Sequence, residues 1–449
     1  MTTQLRSAMP VLLVAAGAVA APQADAQTRA QVYDHIEDRL NELESQVAEA
    51  EEGGQSTWSP YVSEFGGRIM YDQTFNTDSD QALADFAGND DGKLEDGAEL
   101  RRVRFFAEGS VAPWLAYKLQ LDFAGGVEAK DVYLLAHDLG NMPSIKIGHF
   151  KEPISLQEQT SSKYISLMSR TMLADNVISQ GRSAGLMLSD HFANERVNLA
   201  LGLFNPSFDG GEGETTSHST DGESVVTGRL TSPLVYENDG QQVIHVGASF
   251  SQRNVDTYSL GLEPEVHKTD DFVATANANG NAGSIPVEDA LVLGAELGAV
   301  LGPAHMQSEY GQVDLTTSRS GPDPSIDTYY IQGGFFLTGE SRPYDPAAGD
   351  FGRVQPDSPF TGVDTGTGAW ELVARYSSLD AEETAGATLR DADGPNTVAE
   401  EAVAETTVTT LGVNWYPVAH AKWMLNYVDA DQDALGDASY VATRFQVDF

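Results

Sequence analysis

From Trp58 onward the chain alternates between apolar and polar residues, and that period constrains its fold more than any other feature. In WLAYKLQLDF, Tyr117, Leu119, Leu121 and Phe123 share one parity, while Lys118, Gln120 and Asp122 share the other. In ELRRVRFFAEGSV, Val103, Phe105, Ala107 and Val111 alternate with Arg102, Arg104 and Glu108. In RVNLALGLFN, Val197, Leu199, Leu201 and Leu203 alternate with Asn198, Ala200, Gly202 and Phe204. Successive side chains of a strand point to opposite faces, so a period of two predicts half-buried β-strands. TLGVNWYPV, AKWMLNYVD and the terminal YVATRFQVDF follow the same pattern less strictly.

Two architectures satisfy such a pattern. A soluble sandwich or barrel turns its apolar face inward. An outer-membrane barrel turns it to lipid and lines a lumen with the polar face. Three features favour the second. Residues 1–26 read as a signal peptide, with Arg6 in the basic region, the apolar run VLLVAAGAVAA, and Ala24-Asp25-Ala26 before a mature start at Gln27. The strands are about ten residues long, enough to cross a bilayer when tilted. The polar parity carries Arg102, Arg104, Lys118 and Asp122, and aromatics cluster near strand ends at Trp114, Phe123, Trp415, Tyr416, Trp423 and Tyr427, as an interfacial girdle would. The closing strand, ending at Phe449 with Tyr440 at its far end, resembles the terminal recognition signal of bacterial outer-membrane barrels. A closed barrel also pairs its last strand with its first, which leaves no frayed edge.

Linkers support the same reading. Short connections at residues 112–114, 191–196 and 416–422 alternate with long acidic ones such as NTDSDQALADFAGNDDGKLEDG, DGGEGETTSHSTDGE, the stretch from Val255 to Val287, and DAEETAGATLRDADGPNTVAEEAVAE. Short periplasmic turns and long outer loops follow the outer-membrane rule, and counting segments gives about 16 antiparallel strands. Between signal and barrel, Tyr33, Ile36, Leu40, Leu43, Val47 and Ala50 step by three and four, the seam of a short coiled coil that Gly53-Gly54 ends. The expected organisation is therefore a signal peptide at 1–26, a periplasmic coiled coil at 27–54 and a barrel at 55–449.

Composition narrows the functions. With 67 acidic residues against 26 basic ones the net charge is −41, which disfavours nucleic-acid binding. The absence of cysteine excludes disulfides, thiolate metal sites and cysteine nucleophiles. DADQDALGD opens like an EF-hand loop, but Ala434 replaces the turn glycine and no glutamate closes the loop. The nine His residues show no ligand spacing, and neither GxSxG nor a phosphate-binding P-loop occurs. No cofactor or metal is expected.

YYIQGGFFLTGESRPYDP, GDFGRVQP, GAWELVARYSSLD, TLGVNWYP, MLNYVDAD and TRFQVDF, preceded by VYLLAHDL, IKIGHFKEPISLQEQTSSKYISLMSR, VVTGRLTSP and IHVGASFSQRN, are together similar to the phosphate-selective porin O/P family from about Gly66 to Phe449. The resemblance implies an all-β, 16-stranded outer-membrane barrel, usually trimeric, that passes anions such as phosphate or polyphosphate. The segment after Pro153 loses its alternation for some 25 residues and resembles the porin loop that folds inward and narrows the pore. Basic side chains along a pore favour anions, and arginine and lysine attract phosphate as forked donor and point charge. The candidate pore-lining residues are Arg101, Arg102, Arg104, Lys118, Lys130, Lys146, Lys151, Lys163, Arg170, Arg182 and Arg229. Glu152, Glu158 and Asp175 share the inward loop and oppose them.

The expected function is passive diffusion of small ions by a homotrimer in outer-membrane lipid. The rival within the class is a cation-preferring or general diffusion porin. Outside it stand a barrel enzyme, for which no Ser/His or Asp/His constellation is found, and a tether in which the coiled coil links membrane and cell wall. Deleting residues 28–54 separates pore from tether, since a pore should still conduct whereas a tether should fail.

Overall fold

The computed structural model describes residues 61–449 apart from 82, 84–93, 95, 180, 195, 206–222, 259–260, 268, 270–272, 275–284, 318–322, 363–365, 382–404 and 434–435. The expected signal peptide and coiled coil lie outside these residues. Two compact units divide the chain. In the first, residues 61–65 and 108–111 are described, and the amide and hydroxyl of Ser63 both donate to the Glu108 carbonyl, at 3.0 and 3.2 Å.

Sixteen strands form a closed antiparallel barrel. In chain order they are β1 (Glu64–Ser79), β2 (Gly97–Ala112), β3 (Leu115–Asp122), β4 (Glu128–Ala136), β5 (Ser144–Lys151), β6 (Arg182–Phe192), β7 (Val197–Phe204), β8 (Ser224–Glu237), β9 (Gln242–Asn254), β10 (Asp289–Leu301), β11 (Ala304–Thr316), β12 (Ser325–Phe336), β13 (Ala369–Asp380), β14 (Thr406–Val418), β15 (Ala421–Gln432) and β16 (Gly436–Asp448). Each strand neighbours the next, and β16 returns to β1 in a register that sets Ile69 opposite Val447, Tyr71 opposite Phe445 and Asp72 opposite Arg444. Closure satisfies the backbone donors and acceptors that lipid cannot.

The expected alternation is the barrel's inside and outside. Leu119, Ile147, Leu199, Leu201, Leu203, Leu411 and Phe445 are exposed, whereas Arg102, Arg104, Gln120 and Asp122 are buried toward the lumen. Phe449 belongs to the seam, because it exchanges backbone hydrogen bonds with Gly67 at 2.8 and 3.1 Å. A Cβ at Gly67 would stand 2.5 Å from the Arg104 carbonyl and 2.9 Å from the Phe449 ring, so only glycine fits there. Tyr440 lies on the opposite parity and is fully buried in the lumen core.

Tight turns close one end at residues 113–114, 238–241, 302–303 and 419–420. The connection at 137–143 is somewhat longer, and the largest departure lies between β12 and β13. Residues 337–368, between β12 and β13, are a long connection, described at 337–362 and 366–368, whose Tyr344–Asp345 and Asp350–Phe351 pair as a small hairpin. Tyr344 and Phe351 pack with Val243 and Val300 of the wall and with Leu156 of the inward loop. The lumen is therefore filled from both ends. On the β10–β16 side a core of Met168, Met172, Leu173, Val177, Ile178, Val255, Tyr258 and Val266 seals against Val292, Val313, Tyr330, Val428 and Tyr440.

Candidate functional site

The inward loop, residues 152–181, is built around polar anchors from the wall. Ser155, at φ 64°, turns the chain and its hydroxyl accepts the Glu158 amide, which opens the short helix α1 (Leu156–Gln159). The two carboxylate oxygens of Glu309 on β11 accept the Leu156 and Gln157 amides at 2.9 and 2.8 Å, and the Tyr330 hydroxyl adds a third bond at 2.7 Å. Further along, the loop carbonyls meet a row of donors. Lys422 donates to Ile165 at 2.7 Å, Asn414 to Ser166 at 2.6 Å, Arg444 to Met168 at 2.6 Å and Arg375 to Ser169 at 2.9 Å. Loop and wall are one hydrogen-bonded body across the pore. Replacing Glu309 by Ala leaves two buried amides unpaired, a cost of about 1–3 kcal/mol each. Single-channel conductance is expected to rise as α1 leaves the wall, and unchanged conductance would mean the carbonyl row alone holds the loop.

The structure sorts the predicted basic residues into two kinds. Most are committed to a carboxylate. Arg104 pairs with Asp122 at 2.6 Å, Lys130 with Glu128 at 2.8 Å, and Arg182 with Asp131 through bonds of 3.0 and 3.2 Å. Arg229 grips Glu296 with two bonds of 2.8 and 2.7 Å. Lys151 and Arg170 both serve Glu158, at 3.3 and 2.9 Å, and Arg170 also donates to the carbonyls of Gln157, Glu158 and Thr160. These six brace the wall and loop. Two of the three opposing acids are likewise occupied: Glu158 by Lys151 and Arg170, and Glu152 by Arg253 at 2.8 Å with bonds accepted from Ser183 and Thr227. Asp175 is exposed in the π-helical turn Leu173–Val177.

The remainder form a basic column, with Arg101 and Arg102 on β2, Lys118 on β3, Lys146 on β5 and Lys163 on the inward loop. Arg101, half-buried near the outer end, lies 4.0 Å from Glu99. Arg102 is buried among Arg101, Arg104, Arg444 and Arg170, all of its own sign. Lys163 and Lys118 stand over the Phe106 ring at 6.0 and 4.9 Å. Lys146 stands over Tyr133 and Phe150 at 4.7 and 5.3 Å. Among the described residues, neither Lys146 nor Lys163 has a carboxylate within ion-pairing distance. A ring holds an ammonium without cancelling its charge. Burial pushes the Lys163 ammonium down to about 8, with help from Arg68, Arg353 and Lys118, against the pull of Asp448.

The sequence reading missed Arg68, Arg253, Arg342, Arg353, Arg375, Lys422 and Arg444. Arg68 donates to the Ser162 hydroxyl at 2.6 Å and so fixes the loop beside Lys163. The parity of RIMYD and TRFQVDF placed Arg68 and Arg444 on the lumen face and was a usable signal. Nothing local marked residues 337–368 as a lumen segment. There Arg353 bridges Asp448 and the Ala419 carbonyl, and the Phe351 amide donates to Thr160 of the loop at 3.4 Å.

A closed 16-stranded barrel with an apolar exterior, a charged lumen and an infolded loop across it is the architecture of a bacterial outer-membrane porin. More particularly, the chain belongs to the phosphate-selective porin O and P family, whose model matches residues 73–449. It is similar to Porin O of Pseudomonas aeruginosa, with 24% identity over 430 residues that cover 88% of this chain and 90% of that one. An uncharacterized protein of Caulobacter vibrioides is 28% identical over 380 residues, covering 79% of this chain and 68% of its own. Among solved structures, the anion-selective porin from Comamonas acidovorans superposes with a TM-score of 0.52 at 11% identity, over 86% of this chain and 99% of that one. The trimer form of OmpT, an outer membrane protein of Vibrio cholerae, superposes at 0.50 with 12% identity, over 86% and 98%. These likenesses establish the fold.

Proposed function

We propose that this porin passes small inorganic anions, phosphate among them, by passive diffusion as a homotrimer in outer-membrane lipid, with no catalytic step. The carrying observation is that Lys146 and Lys163 sit on aromatic rings without carboxylate partners, while Asp122, Asp131, Glu152, Glu158 and Glu296 are each spent on a cation. The uncancelled field inside the constriction is positive although the whole chain carries −41, because salt screens the distant loop acids beyond about 8–10 Å. The family's phosphate selectivity agrees with this reading. The coiled coil at 27–54 would join three copies on the periplasmic side.

The test is the reversal potential of the purified porin in a planar bilayer under a KCl gradient, followed by added phosphate. Anion preference with block by phosphate is expected, and Lys146→Glu with Lys163→Glu should move the potential toward cations. Cation preference in the wild type would return control to the acids and make this a porin of the same architecture with another solute.

A further inference from the structure

The porin rule predicts a polar lumen, yet the inward face of β5–β8 carries Phe150, Met187, Phe204 and Val225 as one buried apolar cluster with Tyr133 and Ala200 packed against it. Tyr133 meets Phe150 edge-on at 6.1 Å, and Phe150 meets Phe204 at 5.6 Å. Of this panel, Tyr133, Phe150, Met187 and Ala200 line a cavity of about 300 Å³, together with Pro153 of the inward loop and Ala347 and Ala348 of the 337–368 segment, while Phe204 and Val225 are packed behind them. Lys118 and Lys146 reach into the same cavity.

We propose that this cavity binds organic anions in which one carboxylate is joined to a flat apolar body, a substrate class beside the inorganic anions; it rests on the anion-pore reading above. The volume, equal to that of about ten waters at roughly 30 Å³ each, is generous for a bare oxyanion and lies at the lower end of the range of small-molecule sites. An inorganic anion leaves the cavity faces of Tyr133, Phe150 and Met187 wetted. An aromatic carboxylate covers it and presents its charge to Lys146, whose ammonium already hovers over the two rings the arene would meet. Three carboxylates border the cavity. Asp131 is committed to Arg182, and Asp190 caps the His191 amide at 2.8 Å. Asp350, on the 337–368 segment, faces Arg229, Lys151, Arg342 and Asp345, and burial pushes its carboxyl up to about 7. It is about half neutral at pH 7, so it opposes a bound anion less than an ordinary aspartate would.

Calorimetric titration of the full-length porin in detergent with sodium benzoate and with sodium acetate isolates the apolar body, because the two share a carboxylate. Benzoate is expected to bind at least tenfold more tightly, and Met187→Gln to remove most of that ratio. Equal binding of the two anions by the wild type overturns the proposal, as does a ratio unchanged in Met187→Gln with barrel mobility intact on a gel. If that variant does not fold, the wild-type ratio alone decides. The reversal potential is read separately. Cation preference with the benzoate ratio intact would sink the anion-pore reading and leave the cavity standing, whereas anion preference with no ratio would do the reverse.

Discussion

Arg444→Ala is expected to destabilise the barrel by about 3–5 kcal/mol, because it leaves a buried carboxylate alone at the closing seam. Arg444 on β16 and Asp72 on β1 are directly opposed in the ladder that closes the barrel. The guanidinium engages both carboxylate oxygens, one at 2.6 Å, and its third nitrogen reaches the Met168 carbonyl of the inward loop. Both partners are buried, with side-chain exposures of 1% and 4%. One side chain thus joins first strand, last strand and constriction. The charge pair as such contributes far less than its disruption costs, since desolvation offsets most of the Coulomb attraction. The double replacement Asp72→Leu with Arg444→Met should therefore recover much of the stability while the loop stays short of one donor. Urea unfolding in detergent measures the stability, and single-channel conductance reports the loop. A single-variant loss below about 1 kcal/mol would mean water reaches Asp72 and the seam is held by its backbone ladder.

The barrel wall was legible because period two is a local property. Leu119 against Lys118, or Ile147 against Lys146, needs no knowledge of any other strand. The ion pairs were not legible for the opposite reason. Arg104 meets Asp122 across 18 residues, Arg229 meets Glu296 across 67, and Arg444 meets Asp72 across 372. Those meetings depend on strand register, which a single strand does not encode. Parity alone therefore gathers both kinds of inward cation, and six of the eleven candidates are paired with carboxylates that brace the fold. The aromatic seats of Lys146 and Lys163 were hidden for the same reason. Residues 337–368 carry no period-two pattern to place them, and their Gly, Pro and Asp groups bond inside the lumen only through the assembled barrel. Arg229, for example, donates to the Gly349 carbonyl at 2.9 Å, and Asn198 to Pro346 at 2.6 Å.

Raising the pH from 7 to 9 is expected to lower the anion preference at least fivefold at low salt. Lys163 belongs to the inward loop, and its ammonium titrates at about 8, pushed down first by burial and then by Arg68, Arg353 and Lys118, with Asp448 opposing. The sign follows from the charge of the acid form. Below pH 7 Lys163 is almost wholly cationic and attracts anions, at pH 8 about half of the pores carry that charge, and by pH 9 most have lost it. One unit charge at 4 Å is worth about 1 kcal/mol in bulk water and about 4 kcal/mol at an effective dielectric near 20, so fivefold is the lower bound for an anion passing beside it. Asp350 adds an earlier step of the same direction, because its carboxyl ionises near 7 and then repels the anion. Asp350→Asn removes that first step. Lys163→Arg keeps its charge throughout, since guanidinium does not titrate in this range, and should hold the preference nearly flat between pH 8 and 9. Lys163→Gln should show the weakened preference at every pH. The measurement is the permeability ratio from reversal potentials at each pH, taken at low and at high salt because screening shrinks the effect. A slope in Lys163→Arg equal to that of the wild type would place the controlling charge elsewhere in the basic column.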